Sequence, residues 1–342
     1  MSLTSCLKDP TSTMSRFLAE HLPSPGTALA DYRRRLARFE PPRAPHAPTG
    51  QRPEYAMIGH TIDHRLRISL GARTGQPITE GITRTCFDDD GWPSLEIIST
   101  VHAVGLDLVR ELGRYEAEEG RPLALDPAAE DRLVRLCHLA SSFEAIYRCG
   151  GWTRGNSLGS CRPGDGLDDL AAAVPAYVVE DIRNQMALAS SPGPFARLRA
   201  LPPSRRICGP VFDGSLHVGG ADADFILDGQ LIDCKATIRP NRMSRAEVYQ
   251  LAGYLLLDYS DVHGIAEVGL YLSRQGALIG WSVEEFLDLV GCRLTLRELR
   301  AACRHALSEG EEGTPPPANE ALRQLPRPRN ASPAAQEKLF DA

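Results

Sequence analysis

GGADADFILDGQLIDCKAT, residues 219–237, packs four aspartates and a lysine into a largely apolar segment. Two apolar runs, ADADFIL and QLIDCKAT, flank Asp228-Gly229. An Asp-Gly pair between alternating hydrophobic residues is a strong signal for a two-residue hairpin turn. Such a turn predicts Leu227 opposite Gln230, Ile226 opposite Leu231, Phe225 opposite Ile232 and Asp224 opposite Asp233, with Asp222 falling against Lys235. Side chains alternate faces along a strand. Asp222, Asp224, Asp233 and Lys235 therefore share one face, and Phe225, Leu227, Ile232 and Cys234 share the other.

Directly opposed positions bring Cβ atoms to about 4.5–5.5 Å, and like charges there are destabilising. A divalent cation removes that repulsion. Mg²⁺ takes oxygen ligands at about 2.0–2.1 Å, commonly one or two carboxylates completed by water and phosphate. Asp224 and Asp233 are the expected pair of ligands, with Asp222 as an alternative for Asp224. The amine beside them is informative too. Of 38 Lys plus Arg residues only Lys8, Lys235 and Lys338 are lysine, so the chain prefers arginine elsewhere. Arginine's high pKa makes it a poor proton acceptor. A lysine at 235 can orient and help deprotonate a water, or stabilise charge on a phosphoryl oxygen.

Asp224 followed by Asp233-Cys234-Lys235 resembles the P-D…(D/E)-x-K signature of the restriction-endonuclease-like nuclease superfamily. The resemblance implies an α/β fold with a mixed central sheet flanked by helices: a helix, a three-strand meander, a helix, then another strand. SRAEVYQLAGYLLLDY (244–259) reads as the helix after the hairpin, with Ser244 and Glu247 as a capping box. Gln250 and Tyr254, one helical turn apart on one face, match the Q-x-x-x-Y motif of the RecB-type branch, which implies that they face the site. AEVGLYLS (266–273) supplies the next strand, and Ser282/Glu285 and Thr295/Glu298 are further capping boxes. The resemblance spans roughly residues 170–300 and implies Mg²⁺ or Mn²⁺, a nucleic-acid partner, DNA foremost, and a setting in defence or repair. Many members add a carboxylate from the preceding helix, for which Glu180 is the candidate. Ala223 stands where the signature has proline.

Around this core the chain divides into a Pro-rich segment with one helix (1–53), a helical region (54–165), the nuclease-like region (166–308) and a Pro-rich tail disordered by composition (309–342). The net charge of −6 argues against attraction of the whole surface to nucleic acid. Residues 192–245 are locally basic, and Arg205, Arg206, Arg239, Arg242 and Arg245 are the candidate backbone contacts. No run of about 18 apolar residues exists, no secretory leader is expected at the N-terminus, and nine scattered cysteines read as reduced thiols of a cytoplasmic protein. The helical region could bind a protein partner. Two other functions compete: a fold of the same shape that binds nucleic acid or protein without cutting, and a zinc hydrolase at His60 and His64 of HTIDH, an inverted zincin-like pattern with Asp63 in place of Glu. FDDDGW (87–92) reads as a solvated acidic turn, and Cys137, His138, Cys149 and Cys161 lack the paired spacing of a zinc site.

Overall fold

Asp228 and Gly229 have φ of 56° and 75°, the two left-handed conformations that a type I′ turn requires. The turn joins the second and third of five strands: β1 (Arg206–Cys208), β2 (Phe225–Leu227), β3 (Gln230–Lys235), β4 (Glu267–Leu272) and β5 (Ala277–Ser282). They form one mixed sheet in the order β1-β2-β3-β4-β5, antiparallel except that β4 runs parallel to β3. The register of the hairpin is Phe225↔Ile232, Ile226↔Leu231 and Leu227↔Gln230, as the Asp-Gly turn requires. Alanine at Gly229 would meet the Gly264 carbonyl oxygen at 3.3 Å in a conformation that costs an L-residue about 1–2 kcal/mol. Urea titration of Gly229→Ala should show a loss of that size, and an unchanged midpoint would mean that the turn is not held in this form.

This computed structural model describes residues 2–50, 52–72, 75–86, 94–115, 125–152 and 156–309; FDDDGW and the tail after 309 lie outside them. The described residues form thirteen α-helices. α1 (Leu3–Lys8), α2 (Thr13–His21) and α3 (Pro25–Leu36) come first. The helical region contributes α4 (Tyr55–Ser69), α5 (Gln76–Arg84), α6 (Leu95–Leu112) and α7 (Pro127–Cys149). Asp126 caps α7 through the Ala129 N–H, Pro127 fills its first position and Gly150 ends it at φ 79°. Pro175 divides the next helical stretch into α8 (Leu167–Ala173) and α9 (Ala176–Ser190), and α10 (Pro194–Arg199) precedes the sheet. α11 (Arg245–Leu257) is the crossover from β3 to β4, and α12 (Val283–Leu289) and α13 (Leu296–Glu309) follow β5.

The sheet is buried on both faces. Ile226, Leu231, Val268, Leu270, Ile279 and Trp281 pack toward α11. From Val248 to Leu257 only Gln250 escapes full burial, which suits a helix enclosed on every side. The other face, with Phe225, Leu227, Ile232 and Tyr271, packs on the helical region, where the Phe195 ring of α10 stacks on Tyr271 at 4.3 Å. Here the expectation for residues 1–53 is corrected. They hold three helices rather than one, and Leu3, Met14, Phe17, Leu18, Leu29 and Tyr32 belong to the core on α11's side of the sheet. Leu3 N–H donates to the Gly220 carbonyl (2.8 Å), and Trp281 Nε1 donates to Asp31 (2.8 Å). α1 and α2 are too short for a clear apolar period, but Ser2 and Ser12 cap them through the Ser5 and Ser15 N–H groups.

Candidate active site

β3 ends at Lys235, and the polar groups gather there. Asp233 pairs in register with Leu270 of β4, which fixes its side chain toward α11. The Lys235 ammonium lies 2.6 Å from Asp233 Oδ2 and donates to Gln250 Oε1 at 3.0 Å. Gln250 Nε2 donates to the Tyr254 hydroxyl (2.8 Å), which donates to the Asp222 carbonyl (2.9 Å). Four of the residues expected from the sequence thus form one contact chain: Asp233, Lys235, Gln250, Tyr254. Asp233 Oδ2 is buried and receives no well-aligned hydrogen bond, so its contact with Lys235 is an ion pair held by distance rather than direction.

The hairpin departs from ideal pairing at the place where the carboxylates would collide. β2 begins only at Phe225, so Asp224 and Asp233 are not ladder partners, and neither are Asp222 and Lys235. Asp224 instead turns Oδ2 onto the Cys234 N–H at 2.6 Å, which closes the hairpin with a side chain. Asp222, with its carbonyl fixed by Tyr254, keeps its carboxylate at the rim, where the side chain is 56% exposed. Cys234 belongs to the opposite face and packs toward the helical region.

These groups line a cleft of about 510 Å³ whose other wall comes from the helical region. α4 contributes His60, Asp63 and Arg67, and α7 contributes Arg148. Arg67 bonds Asp63 (2.7 Å), reaches Asp224 (3.4 Å) and covers the Phe225 ring at 5.8 Å. Arg148 is held by Glu144 (2.5 Å) and reaches Asp222 (3.5 Å). Glu144 also lies 2.8 Å from His64 Nε2. Burial would raise the Glu144 pKa, but the contact with His64 and the charges of Arg148 and His60 hold it well below the usual range. Neither arginine is evident from the sequence, because their partners Asp224 and Asp222 lie about 70 to 160 residues away along the chain. The only local signal was an acidic residue four positions before each, Asp63 for Arg67 and Glu144 for Arg148, a spacing that fixes a side chain on a helix. Gly209, at φ 63°, leaves space that a Cβ would take from Arg67 Nη1 (2.6 Å).

Several expected site residues lie elsewhere. Glu180 is exposed on α9 and lines a separate cleft with Arg43, Asp181 and Arg274, so it does not join the carboxylates. Arg205 pairs with Asp228 at the turn, the far end of the hairpin from Lys235. Arg206 pairs in register with Leu227 and donates to the Arg199 carbonyl (3.4 Å). Both were drawn to the site by nearness in sequence and are placed at the other end of the strand. Arg239, Arg242 and Arg245 are exposed on the segment leaving β3, and among the described residues none of them pairs with a carboxylate. His60 lines the acidic cleft and His64 meets Glu144 in the neighbouring pocket, and among the described residues they belong to no group of three or more metal-ligating side chains.

Burial raises the pKa of Asp224 to about 7, with Asp63 adding to it and Arg67 opposing it. Burial raises that of Asp233 to about 6, opposed by Lys235 and reinforced by Asp224. Burial works against the Lys235 ammonium, but Asp233 beside it more than offsets this and its pKa is raised. Two crowded carboxylates that resist ionising are a donor set suited to a divalent cation. Among the described residues no group of three or more His, Cys, Asp or Glu is arranged around one ion. Two carboxylates fit Mg²⁺, which commonly takes one or two with phosphate completing the shell.

A carboxyl whose pKa is raised on folding stabilises the fold most when protonated, and that contribution fades as pH climbs through the raised value. Between about pH 4 and 7 the metal-free chain should therefore lose stability through Asp224 and Asp233. An ion that displaces the protons restores it. Mg²⁺ is expected to leave the melting temperature nearly unchanged at about pH 5 and to raise it increasingly from about pH 6 to 8. A Mg²⁺ shift of equal size across that range would remove these carboxyls from the ion site.

No family model matches the chain, and neither the curated proteins nor the solved structures offer a match. Among the described residues no helix is long and apolar enough to cross a membrane. The class is a mixed α/β protein with a five-stranded sheet, and the site stands on its own chemistry.

Proposed function

We propose that this protein is a metal-dependent nuclease of the restriction-endonuclease-like kind, hydrolysing phosphodiester bonds, with DNA as the substrate. The observation that carries the reading is the contact chain Asp233–Lys235–Gln250–Tyr254 at the end of β3, with Asp224 beside it. The order of elements supports it: a helix, an antiparallel β1-β2-β3 meander, the α11 crossover and a parallel β4 are the arrangement the resemblance implies. Asp224 and Asp233 would hold Mg²⁺ or Mn²⁺. Such an ion lowers the pKa of bound water and clamps the phosphate. Lys235 keeps its proton and offers a fixed positive charge, aimed by Asp233 and Gln250. Gln250 is oriented by Tyr254, and Tyr254 by the Asp222 carbonyl. Arg239, Arg242 and Arg245 provide cationic side chains for the phosphate backbone. An activity of this kind belongs in defence or repair.

One observation favours a second reading, a module that grips nucleic acid without cutting it. Arg67 and Arg148 already lie against Asp224 and Asp222, as neutralising groups would in a site with no ion. Incubation of single- and double-stranded DNA, and of RNA, with Mg²⁺ or Mn²⁺ separates the two. Cleavage lost in Asp233→Asn supports the nuclease. Salt-dependent binding with no turnover and no stabilisation by the ion supports the module. Cleavage that survives Asp233→Asn discards the mechanism.

A further inference from the structure

A second cavity of about 240 Å³ opens beside the acidic cleft and is the more enclosed of the two. It lies between the helical region and the loop after β1. Asp63, Arg67, Arg148 and Asp222 line both cavities and form a shared wall. Behind that wall the lining is mixed: Ile78, Leu112, Cys137 and Ala140 are buried at its floor, Tyr147 stands at its side, and the His64–Glu144 pair adds polar atoms. The Arg84 guanidinium lies 5.5 Å over the Tyr147 ring, outside the lining, and holds the ring in place.

We infer that this pocket receives one unpaired nucleobase of the substrate, and this rests on the nuclease reading of the adjoining cleft. The size sets the class. Sites for drug-sized ligands run to about 300–1,000 Å³, so this one suits a flat fragment such as a single base. The lining sets the chemistry, since an apolar floor with an aromatic side wall holds a planar π-system by stacking, and the His64–Glu144 pair beside it offers polar atoms to the edge of such a ring. The wall sets the attachment. Arg67 and Arg148 are fixed on their own helices by Asp63 and Glu144, and their contacts with the carboxylates of Asp224 and Asp222 are long, 3.4 and 3.5 Å. Guanidiniums so placed can exchange those loose partners for the phosphate joining a base in the pocket to the strand in the acidic cleft. A base reaches an enclosed pocket only after leaving its stack. The substrate class is therefore single-stranded nucleic acid, or a duplex end or lesion where a base is already free.

The test uses the full chain with Ca²⁺ in place of Mg²⁺ and single-stranded oligonucleotides carrying one 2-aminopurine at successive positions. One position, next to the cleavage site mapped in Mg²⁺, should change its fluorescence on binding while the others do not. Ala72, half-buried at the pocket rim, gives the matching variant. Ala72→Phe should fill the cavity, abolish that signal and weaken single-strand binding about tenfold, the scale of one stacked base. Ala72→Ser should behave as the parent chain, and the Mg²⁺ melting shift should stay the same in both. Equal fluorescence at every position, or an Ala72→Phe variant that binds as tightly as the parent, overturns the pocket. Cleavage by the parent chain in Mg²⁺ with no position-specific signal sinks the pocket and leaves the nuclease standing. Absence of both cleavage and binding sinks the two together.

Discussion

Lys235→Ala should cut metal-dependent cleavage by about 10²–10³-fold, the range seen when one preorganised group facing developing charge is removed. The same variant should bind Mg²⁺ at least as well as the parent. The ammonium sits 2.6 Å from Asp233, so its removal deletes a cation that competes with the metal for that carboxylate. Asp233→Asn should lose both cleavage and the Mg²⁺ melting shift. The split between these two variants assigns the roles: Asp233 as ligand, Lys235 as the charge that acts on the substrate. Lys235→Arg is not expected to restore activity. A planar guanidinium, broader and reaching farther than an ammonium, cannot occupy the point between Asp233 Oδ2 and Gln250 Oε1 that the ammonium fills. Single-turnover rates and melting curves in Mg²⁺ provide both readouts. A Lys235→Ala protein that cleaves at the parental rate would remove Lys235 from the chemistry.

The parts of this site that were legible in the sequence are those set by local rules. Asp228-Gly229 gave the turn, the turn gave the register from Phe225 to Leu227, and i, i+4 spacing put Gln250 and Tyr254 on one face of α11. The same rules stopped at the collision they predicted. Opposed aspartates at 224 and 233 were expected to stay in the ladder, but the chain relieves the conflict by starting β2 only at Phe225 and bonding Asp224 to the Cys234 N–H. What could not be read was anything requiring two distant segments to meet. Arg67 finds Asp224 across 157 positions, whereas Arg205 and Arg206, close to the hairpin in sequence, go to its far end. Glu180, expected as a further ligand, sits on the exposed face of α9 and lines another cleft. Its neighbour Asp181 is the buried one, and the period of α9 did not say which side meets the sheet.

That neighbour supports a large effect on stability. Asp181→Ala should cost about 3–5 kcal/mol, the usual loss when one partner of a buried ion pair is removed. Arg274 and Asp181 meet at 2.5 and 2.8 Å with side chains only 2% and 6% exposed, so the mutant would leave a guanidinium buried without its counter-ion. The damage should also reach the site. Arg274 Nε donates to the Ala236 carbonyl at 2.7 Å, and Ser273, held by Gln185 of the same helix at 2.6 Å, donates through its backbone N–H to the Lys235 carbonyl at 3.2 Å. α9 thus fixes the backbone that carries Lys235, although none of its side chains enters the cleft. Replacing both partners by apolar residues of similar volume, Asp181→Leu with Arg274→Met, should recover much of the stability, because it removes the stranded charge along with the pair. It should not recover full activity, since the bond to the Ala236 carbonyl is still missing. Urea midpoints and cleavage rates on the single and double variants measure the two effects separately. If the double variant regained stability and parental cleavage together, α9 would be packing against the sheet without positioning the lysine.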